Sequence, residues 1–252
     1  MTVVLRAEAL VVRYGGVVAL DGVDLSVSSG EVVGLVGANG AGKTTLLDCL
    51  SGHLRPVGGR VWLGTSEISR LGPGRRARRG VVRSFQDARL FPTMPVGDAL
   101  LLAQERVSGS GAVTSLLGWP PSPTRARRRR AAAEDLAAGL MLEPFLGRLV
   151  GALSTGDRKR LDLACAIGLE PRVLLLDEPS AGLAAADLQG LAARLRGAAE
   201  RSRAGVVMVE HDLPLVWSVA DRVVVLDSGQ VAAAGPPAEL RGHPSLAFGR
   251  LG

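Results

Sequence analysis

The hydrophobic positions of the chain form short continuous runs, and segments with helical periodicity lie between them. Apolar runs cover Val32–Val36, Val173–Leu176 and Val206–Val209, each rich in valine or leucine and each of strand length. Such runs are typical of strands buried on both faces of a parallel sheet. Helical periodicity marks Asp187–Glu200, where leucines recur on one face. The alternation of strand-like and helical segments along the chain predicts an α/β fold class with a mostly parallel sheet.

The amino-terminal pattern is different because apolar and polar residues alternate there. Val3–Arg13 alternates loosely, which predicts an edge strand, and Val17–Val27 predicts a second strand after a glycine turn. Further strands are predicted at Arg60–Gly64 and Val81–Gln86, and a hairpin at 222–234.

The middle of the chain is dominated by helical pattern. Val96–Val107 predicts one helix and Arg125–Leu142 a second, with a segment rich in Gly, Ser and Pro between them at Ser108–Pro123. These helices read as an insertion, because strand pattern returns only later in the chain. The predicted organisation is a single domain with a core of 1–86 and 151–252 and an inserted helical subdomain of 87–150.

The length of the chain limits what it can contain. At 252 residues and 26.1 kDa, it can bury one α/β core with a small appended subdomain, but not a second catalytic domain. No apolar run approaches the ~18 residues of a membrane span. Met1–Leu10 also lacks the basic-then-apolar order of a signal peptide. We therefore expect a cytoplasmic product.

Charge and cysteine content add little chemistry. The net charge of +6 comes from arginines concentrated at Arg75–Arg79 and Arg125–Arg130. Such clusters suit anionic partners but are more often solvated helix faces. Cys49 and Cys165 form neither a C-x-x-C pair nor a Cys/His cluster, so we interpret them as reduced core thiols.

The strongest chemical motif is Gly37–Thr45, which matches G-x-x-x-x-G-K-[ST] between a predicted strand and a predicted helix. Its glycines allow a loop whose N–H groups converge on phosphate oxygens at a helix N-terminus. We expect Lys43, one of only two lysines, to contact the β- and γ-phosphates of ATP, and the Thr44 hydroxyl to bind Mg²⁺. The predicted nucleotide contacts of this loop are Gly37, Asn39, Gly40, Ala41, Gly42, Lys43, Thr44 and Thr45.

Other candidate residues lie at the predicted carboxyl ends of strands, where open parallel sheets bind ligands. Asp177 is predicted to orient Mg²⁺ and Glu178 to polarise the attacking water, and His211 is predicted to contact the γ-phosphate. Gln86 matters only if it lies beside the phosphates, where its amide would reach Mg²⁺ or the water. Tyr14, the only tyrosine, is predicted to stack on the purine, although it alternatively covers a strand end.

In this order the motifs resemble those of the ATP-binding cassette (ABC) ATPases, and the resemblance covers nearly the whole chain. It implies a P-loop NTPase core with a mostly parallel sheet, an N-terminal antiparallel β subdomain and an inserted α-helical subdomain. It also implies roles for several residues. Tyr14 matches the adenine-stacking aromatic, Gly37–Thr45 the Walker A loop, Gln86 the Q-loop, Leu153–Asp157 the signature, Val173–Glu178 the Walker B strand and His211 the switch histidine.

Two motifs depart from the family pattern, the signature and the D-loop. Thr155 and Asp157 replace the first glycine and the glutamine of the usual Leu-Ser-Gly-Gly-Gln signature, whereas Ser154 and Gly156, which would contact ATP held by an opposite protomer, remain. Ala184 stands where the D-loop often has Asp or Asn. Slower ATP-driven closure, an asymmetric dimer or a regulatory cassette with weak hydrolysis are the alternatives that these departures leave open.

A finer resemblance is to the ATP-binding subunits of branched-chain amino acid importers. It rests on Ser84–Phe91 with the long Ser108–Pro123 insertion, on Glu178–Leu183, on Glu210–Val216 and on the ending from Pro236 to Leu251. It implies a second ABC ATPase subunit, integral membrane permease subunits and an extracytoplasmic solute-binding protein as partners. It also places the chain peripherally on the cytoplasmic face of the membrane. The competing class is an ABC ATPase acting on nucleic acid or ribosomes; because the long coiled-coil arms or second cassette of such relatives are missing, no nucleic acid partner is expected.

Overall fold

The computed structural model describes residues 2–84, 91–105, 123–181, 185–244 and 246. The chain divides into two compact units. The first unit comprises Met1–Arg83 and Arg172–Gly252, and the second comprises Ser84–Pro171. The predicted insertion of 87–150 falls inside the second unit, which also takes in the helix after residue 154.

The strands of the described residues all belong to the first unit and form two sheets. They are β1 Val3–Tyr14, β2 Val17–Ser28, β3 Val32–Val36, β4 Gly58–Leu63, β5 Ser66–Glu67, β6 Val81–Arg83, β7 Val173–Asp177, β8 Gly205–Val209, β9 Arg222–Asp227 and β10 Gln230–Gly235.

The larger sheet has the order β10-β9-β3-β8-β7-β6 in the described part of the chain. Strands β9, β3, β8, β7 and β6 are parallel neighbours, and β10 closes the sheet as an antiparallel hairpin with β9. Every residue of β3, β7 and β8 is buried, as expected for central parallel strands with both faces covered. The mostly parallel sheet predicted from the continuous apolar runs is confirmed.

The smaller sheet is antiparallel, with the order β2-β1-β4-β5. The prediction that β1 is an edge strand is wrong, because β1 pairs with β2 on one side and with β4 on the other. Several register shifts interrupt the pairing of β1 with β2. Such irregularities explain the loose alternation of the sequence, because each shift moves the following side chains to the opposite face.

The helices lie in both units. Those of the described residues are α1 Lys43–Ser51, α2 Pro73–Arg78, α3 Val96–Glu105, α4 Pro123–Gly139, α5 Thr155–Gly168, α6 Ala185–Ser202, α7 Leu213–Val219 and α8 Pro237–Leu240. In the second unit, α3, α4 and α5 pack against one another. No helix in the described part of the chain is both long and apolar enough to cross a bilayer.

Helix α1 is held firmly at its carboxyl end by a buried arginine. The Arg76 guanidinium is fully buried and donates to the main-chain carbonyls of Cys49 and Leu50, and also to those of Leu71 and Ser69. Because the last carbonyls of a helix have no partner within the helix, a cation there stabilises its end. The opposite end of α1 carries the glycine-rich loop, so this contact fixes the base of the candidate site.

Candidate nucleotide-binding and hydrolysis site

The glycine-rich loop connects β3 to α1 and depends on glycine geometry. Gly40 and Gly42 have φ values of 80° and 102°, in the region that side-chain-bearing residues rarely occupy. A Cβ on Gly42 would also lie 2.5 Å from the Ala19 carbonyl oxygen. Gly42 is the N-cap of α1 and supplies no side-chain cap. The first N–H groups of the helix therefore remain available to an anion.

Lys43 is the first residue of α1, and its side chain folds back over the loop. Its Nζ donates to the carbonyl oxygens of Gly37 and Ala38 at 2.7 and 2.8 Å. Burial lowers the pKa of Lys43 from its ordinary value, and the nearby carboxylates of Glu178 and Asp177 act in the opposite direction. The ammonium is thus held at the loop by groups that a phosphate oxygen can replace.

An open cleft of about 200 Å³ lies over this loop. Residues from β2, the loop, α1 and the ends of two parallel strands line it. They are Ala19, Asn39, Gly40, Gly42, Lys43, Thr44, Thr45, Glu178 and His211. Most of the loop residues predicted to bind the nucleotide therefore line one cleft with Glu178 and His211, although these residues are far apart in sequence.

Glu178 and His211 meet because the strands that precede them are neighbours. Asp177 at the end of β7 is in register with Val209 at the end of β8, so the following residues emerge at the same edge of the sheet. The His211 Nε2 lies 3.1 Å from the Glu178 Oε1. Glu178 has a φ of 47°, a strained conformation for a residue with a side chain, and such strain is often found at functional sites.

Asp177 is buried beside this pair and is held by an arginine. The Arg83 Nη2 donates to the Asp177 Oδ2 at 2.9 Å, and the Arg83 Nη1 donates to the carboxylate of Asp48 in α1. The Arg83 side chain is only 7% exposed. It therefore ties strand β6, helix α1 and the end of β7 together beneath the cleft.

Comparison with known proteins agrees with this geometry. A family model described as "ABC transporter" matches residues 20–181. The chain is 37% identical to the high-affinity branched-chain amino acid transport ATP-binding protein BraF of Pseudomonas aeruginosa, covering 99% of this chain and 98% of BraF. It is also 37% identical to the corresponding LivG protein of Escherichia coli K12, over 98% of this chain and 97% of LivG.

The chain belongs to the ABC transporter family.

A solved structure supports the assignment. The ADP conformation of MJ1267, an ATP-binding cassette of an ABC transporter, has a TM-score of 0.80 and 28% identity, and the match covers 100% of both chains. Membership of the family makes the chain an ABC-type ATPase that binds and hydrolyses ATP. The predicted P-loop NTPase fold is confirmed by the same likeness.

Not every predicted site residue of this ABC ATPase lies in the cleft. Tyr14 is 52% exposed at the end of β1 and is not among the lining residues, so its contact with adenine stays a prediction. Gln86 and Ala184 fall outside the described residues. Gly37 and Ala41 belong to the loop but do not line the cleft; Gly37 acts there through its carbonyl, which accepts from Lys43.

The signature residues belong to the second unit and begin helix α5. Ser154 is the N-cap, and its Oγ accepts from the main-chain N–H of Asp157 at 3.1 Å. The same hydroxyl lies 2.6 Å from the Asp157 Oδ2, to which it donates. Arg160 is 3.6 Å from the other carboxylate oxygen of Asp157. The departure at Asp157 therefore gives the Ser154 hydroxyl an acceptor within its own helix.

The described part of the chain contains no ready-made cluster of metal-binding side chains. Across the described ranges, no group of three or more His, Cys, Asp or Glu side chains could hold a metal ion. Mg²⁺ bound together with a nucleotide needs only one or two protein oxygens, because phosphates and waters complete its shell. The Thr44 hydroxyl in the cleft and the adjacent Asp177 carboxylate fit that donor set.

Sequence reasoning passed over two buried charged residues at this site. Arg83 holds Asp177, and Glu210, only 2% exposed, lies between β8 and His211. A signal for both was present, since each is a charge at the carboxyl end of an apolar strand. A buried charge at such a position requires a partner, and the neighbouring strand ends supply polar groups.

Proposed function

We propose that this chain is the ATP-binding and ATP-hydrolysing subunit of a membrane importer for branched-chain amino acids or related small polar solutes. The observation that carries the proposal is the gathering of Lys43, Glu178 and His211 around one cleft at the carboxyl edge of a parallel sheet. Full-length identity of 37% to transport proteins named for branched-chain amino acids supports the cargo.

Nucleotide binding begins at the loop. The N–H groups at the start of α1 and the Lys43 ammonium bind the phosphates, with the Lys43 Nζ exchanging its two carbonyl partners for phosphate oxygens. Tyr14 contributes a stacking surface for the adenine. Ala19 lines the same cleft from β2.

Hydrolysis uses the pair at the strand ends. The Glu178 carboxylate accepts a proton from a water placed for in-line attack on the γ-phosphate, and the imidazole of His211 donates to the γ-phosphate. Gln86 would assist in orienting that water. Bound Mg²⁺ supplies neutralisation of the phosphate charge, and Thr44, Asp177 and Gln86 are the residues that would hold it.

A second cassette completes the site in this proposal. Two cassettes close face to face, so that Ser154 and Gly156 of each contact the nucleotide bound by the other. Closure moves the helical subdomain and acts on separate permease subunits at the cytoplasmic face of the membrane, which receive solute from an extracytoplasmic binding protein. Because the Ser154 hydroxyl is engaged by Asp157, we expect closure to be slower than with a glutamine at that position.

The variant Glu178→Gln tests the chemistry. We expect ATP affinity to stay within about twofold and steady-state phosphate release to fall by about 1,000-fold, because the general base is lost. Glu170→Gln is the matched control, since Glu170 is an exposed glutamate with a similar φ of 46°. Unchanged phosphate release in Glu178→Gln would refute the role of Glu178.

The transport role is tested by co-purification of the tagged chain. We expect integral membrane proteins to co-purify with it, and co-purification with ribosomes instead would refute the transport role.

A further inference from the structure

A buried carboxylate lies directly behind the Glu178–His211 pair. The Glu210 Oε1 accepts from the main-chain N–H of Ser180 at 2.8 Å, and the Glu210 Oε2 accepts from the Ser180 hydroxyl at 2.8 Å. The Oε2 also accepts from the main-chain N–H of His211 at 3.1 Å. Both carboxylate oxygens are therefore engaged by the two segments that carry the candidate catalytic residues.

The environment of Glu210 makes these contacts costly to lose. The residue is only 2% exposed, and burial raises the pKa of its carboxyl group above the ordinary value, whereas the hydrogen bonds from Ser180 and His211 lower it. A buried carboxylate without donors is strongly unfavourable. The Ser180 and His211 donors thus keep the two segments tied to one buried group.

These contacts complete a closed ring. Along the chain, Pro179 connects Glu178 to Ser180, and the N–H and hydroxyl of Ser180 donate to the Glu210 carboxylate. His211 follows Glu210, and its Nε2 lies 3.1 Å from the Glu178 Oε1, which closes the ring. The main-chain N–H of Glu178 also donates to the Val209 carbonyl at 3.0 Å. The strained φ of Glu178 is thus held by bonds on both sides of the residue.

We propose that Glu210 is a positioning residue for ATP hydrolysis, which sets the separation between the Glu178 carboxylate and the His211 imidazole by holding Ser180. The inference rests on the proposed function, because it assigns Glu210 a task only if Glu178 and His211 act on the nucleotide. Glu210 does not touch the cleft itself. Its effect is on the rate of the chemical step and not on nucleotide affinity.

The test compares Glu210→Gln with a matched variant at the other end of the sheet. The amide keeps the size of the side chain but cannot accept at both positions, so the ring opens. We expect kcat to fall by about tenfold to 100-fold, as for a small misplacement of reacting groups, with the Kd for Mg²⁺-ATP within about twofold. Glu31→Gln is the control, since Glu31 also accepts a main-chain N–H and a side-chain donor in a nearly buried setting. It is expected to leave kcat unchanged.

A second variant keeps the test decisive if Glu210→Gln fails to fold. Ser180→Ala removes only the hydroxyl contact and should lower kcat by about fivefold, less than Glu210→Gln, because the Glu210 carboxylate keeps its bonds from the main-chain N–H groups of Ser180 and His211. In the double variant the two losses should not multiply, because both act through one ring. Unchanged kcat in Ser180→Ala, or losses that multiply, would overturn the proposal.

An NMR measurement on the histidine side chains separates loss of positioning from a general loosening of the site. The chain has three histidines, so the imidazole resonance of His211 can be assigned by substitution. In the native background, Glu178→Gln should shift this resonance, because the two side chains are in contact. In the Glu210→Gln background the same change should shift it by less than about half as much, since the hydrogen bond between the two side chains weakens steeply once its distance and angle depart from the preferred values. An equal shift in both backgrounds would overturn the proposal.

Failure of this inference differs from failure of the proposed function. If the native chain releases phosphate and Glu178→Gln does not, while Glu210→Gln matches the native rate, only the role of Glu210 is refuted. If Glu178→Gln hydrolyses ATP at the native rate, the proposed mechanism falls and the positioning role falls with it.

Discussion

The parallel strands of the six-stranded sheet begin along one border, here the amino edge, and end along the opposite border, here the carboxyl edge. Both carry charged side chains, but these charges have different partners. At the amino edge, Glu31 pairs with Arg222 at 2.8 Å and also accepts from the Ser28 N–H, while the Arg222 Nη2 donates to the Ser26 carbonyl. At the carboxyl edge, the Lys43 Nζ donates to the main-chain carbonyls of Gly37 and Ala38. Glu178 faces His211 across an open cleft.

The difference indicates that charges at the start of the strands stabilise the sheet, whereas some of the charges at the end of the strands are available to bind a ligand. Charges at the amino edge are paired with the chain itself, so they join β2, β3 and β9. At the carboxyl edge, the Lys43 ammonium and the Glu178–His211 pair have partners that a ligand can replace, in the place where parallel sheets bind ligands. Asp177 and Glu210 at the same edge are paired with the chain itself. Substitutions at the two edges should therefore affect different measurements, and the following predictions test that separation in order of decreasing effect.

Besides Glu178→Gln, the largest effect is expected at His211. Replacing it with alanine removes the donor predicted to contact the γ-phosphate, and we expect kcat to fall by about 100-fold to 1,000-fold. The midpoint of urea unfolding should change little, because the imidazole is partly exposed. A phosphate-release assay beside an unfolding curve measures both. A large loss of stability with unchanged kcat would contradict the prediction that substitutions at the carboxyl edge affect catalysis and not stability.

A smaller effect is expected for Lys43→Met. The variant retains an unbranched side chain but removes the charge-assisted bonds to phosphate, so the Kd for ATP should rise by about 100-fold. Because burial lowers the pKa of Lys43, losing the ammonium should not destabilise the free chain. Titration with a fluorescent nucleotide measures the affinity. Native affinity in this variant would exclude the cleft as the phosphate site.

At the amino edge we expect a loss of stability alone. Glu31→Gln removes the charge from a pair whose glutamate side chain is only 11% exposed. The free energy of unfolding should fall by about 2 kcal/mol, the usual value for a hydrogen bond to a charged group. Urea denaturation reports the change. A fall in kcat at a temperature where the variant is fully folded would contradict the assignment of this edge.

The smallest effect is expected at Asp221, which precedes Arg222 in the chain and contacts the start of β3. Its Oδ2 accepts from the Val32 N–H at 2.9 Å, and its Oδ1 accepts from Arg196 at 3.2 Å. Asp221→Asn can keep the bond to Val32, and the pair with Arg196 is about 40% exposed on both sides. The unfolding free energy should therefore change by less than about 1 kcal/mol. A larger change would mean that the exposed Asp221–Arg196 pair contributes as much to stability as the nearly buried Glu31–Arg222 pair.

The sequence predicted the parts of the site that depend on local pattern. The loop from Gly37 to Thr45 has its own geometry, and apolar runs fix where Asp177, Glu178 and His211 emerge. The partners that hold the site could not be predicted, because Arg83 meets Asp177 and Glu210 meets Ser180 only through the neighbouring order of β6, β7 and β8. That order is set by long-range packing, which a local pattern does not contain.

The same limit explains the error at β1. Alternating residues indicate a half-buried strand but not how many neighbours pair with it. The strand carries its partners β2 and β4 on its two sides, and in the chain β4 is separated from it by β2, β3 and α1. An N-terminal position in sequence therefore gave no indication of a central position in the sheet.

The two cysteines have a practical consequence for labelling. Cys49 is buried in α1 and Cys165 is partly buried in α5, and burial raises the pKa of each thiol to about 12. Because only the thiolate attacks maleimides and iodoacetamides, neither native thiol should react appreciably in the folded chain near neutral pH. A cysteine introduced at an exposed position would then carry a fluorophore or spin label alone, without removal of the native pair.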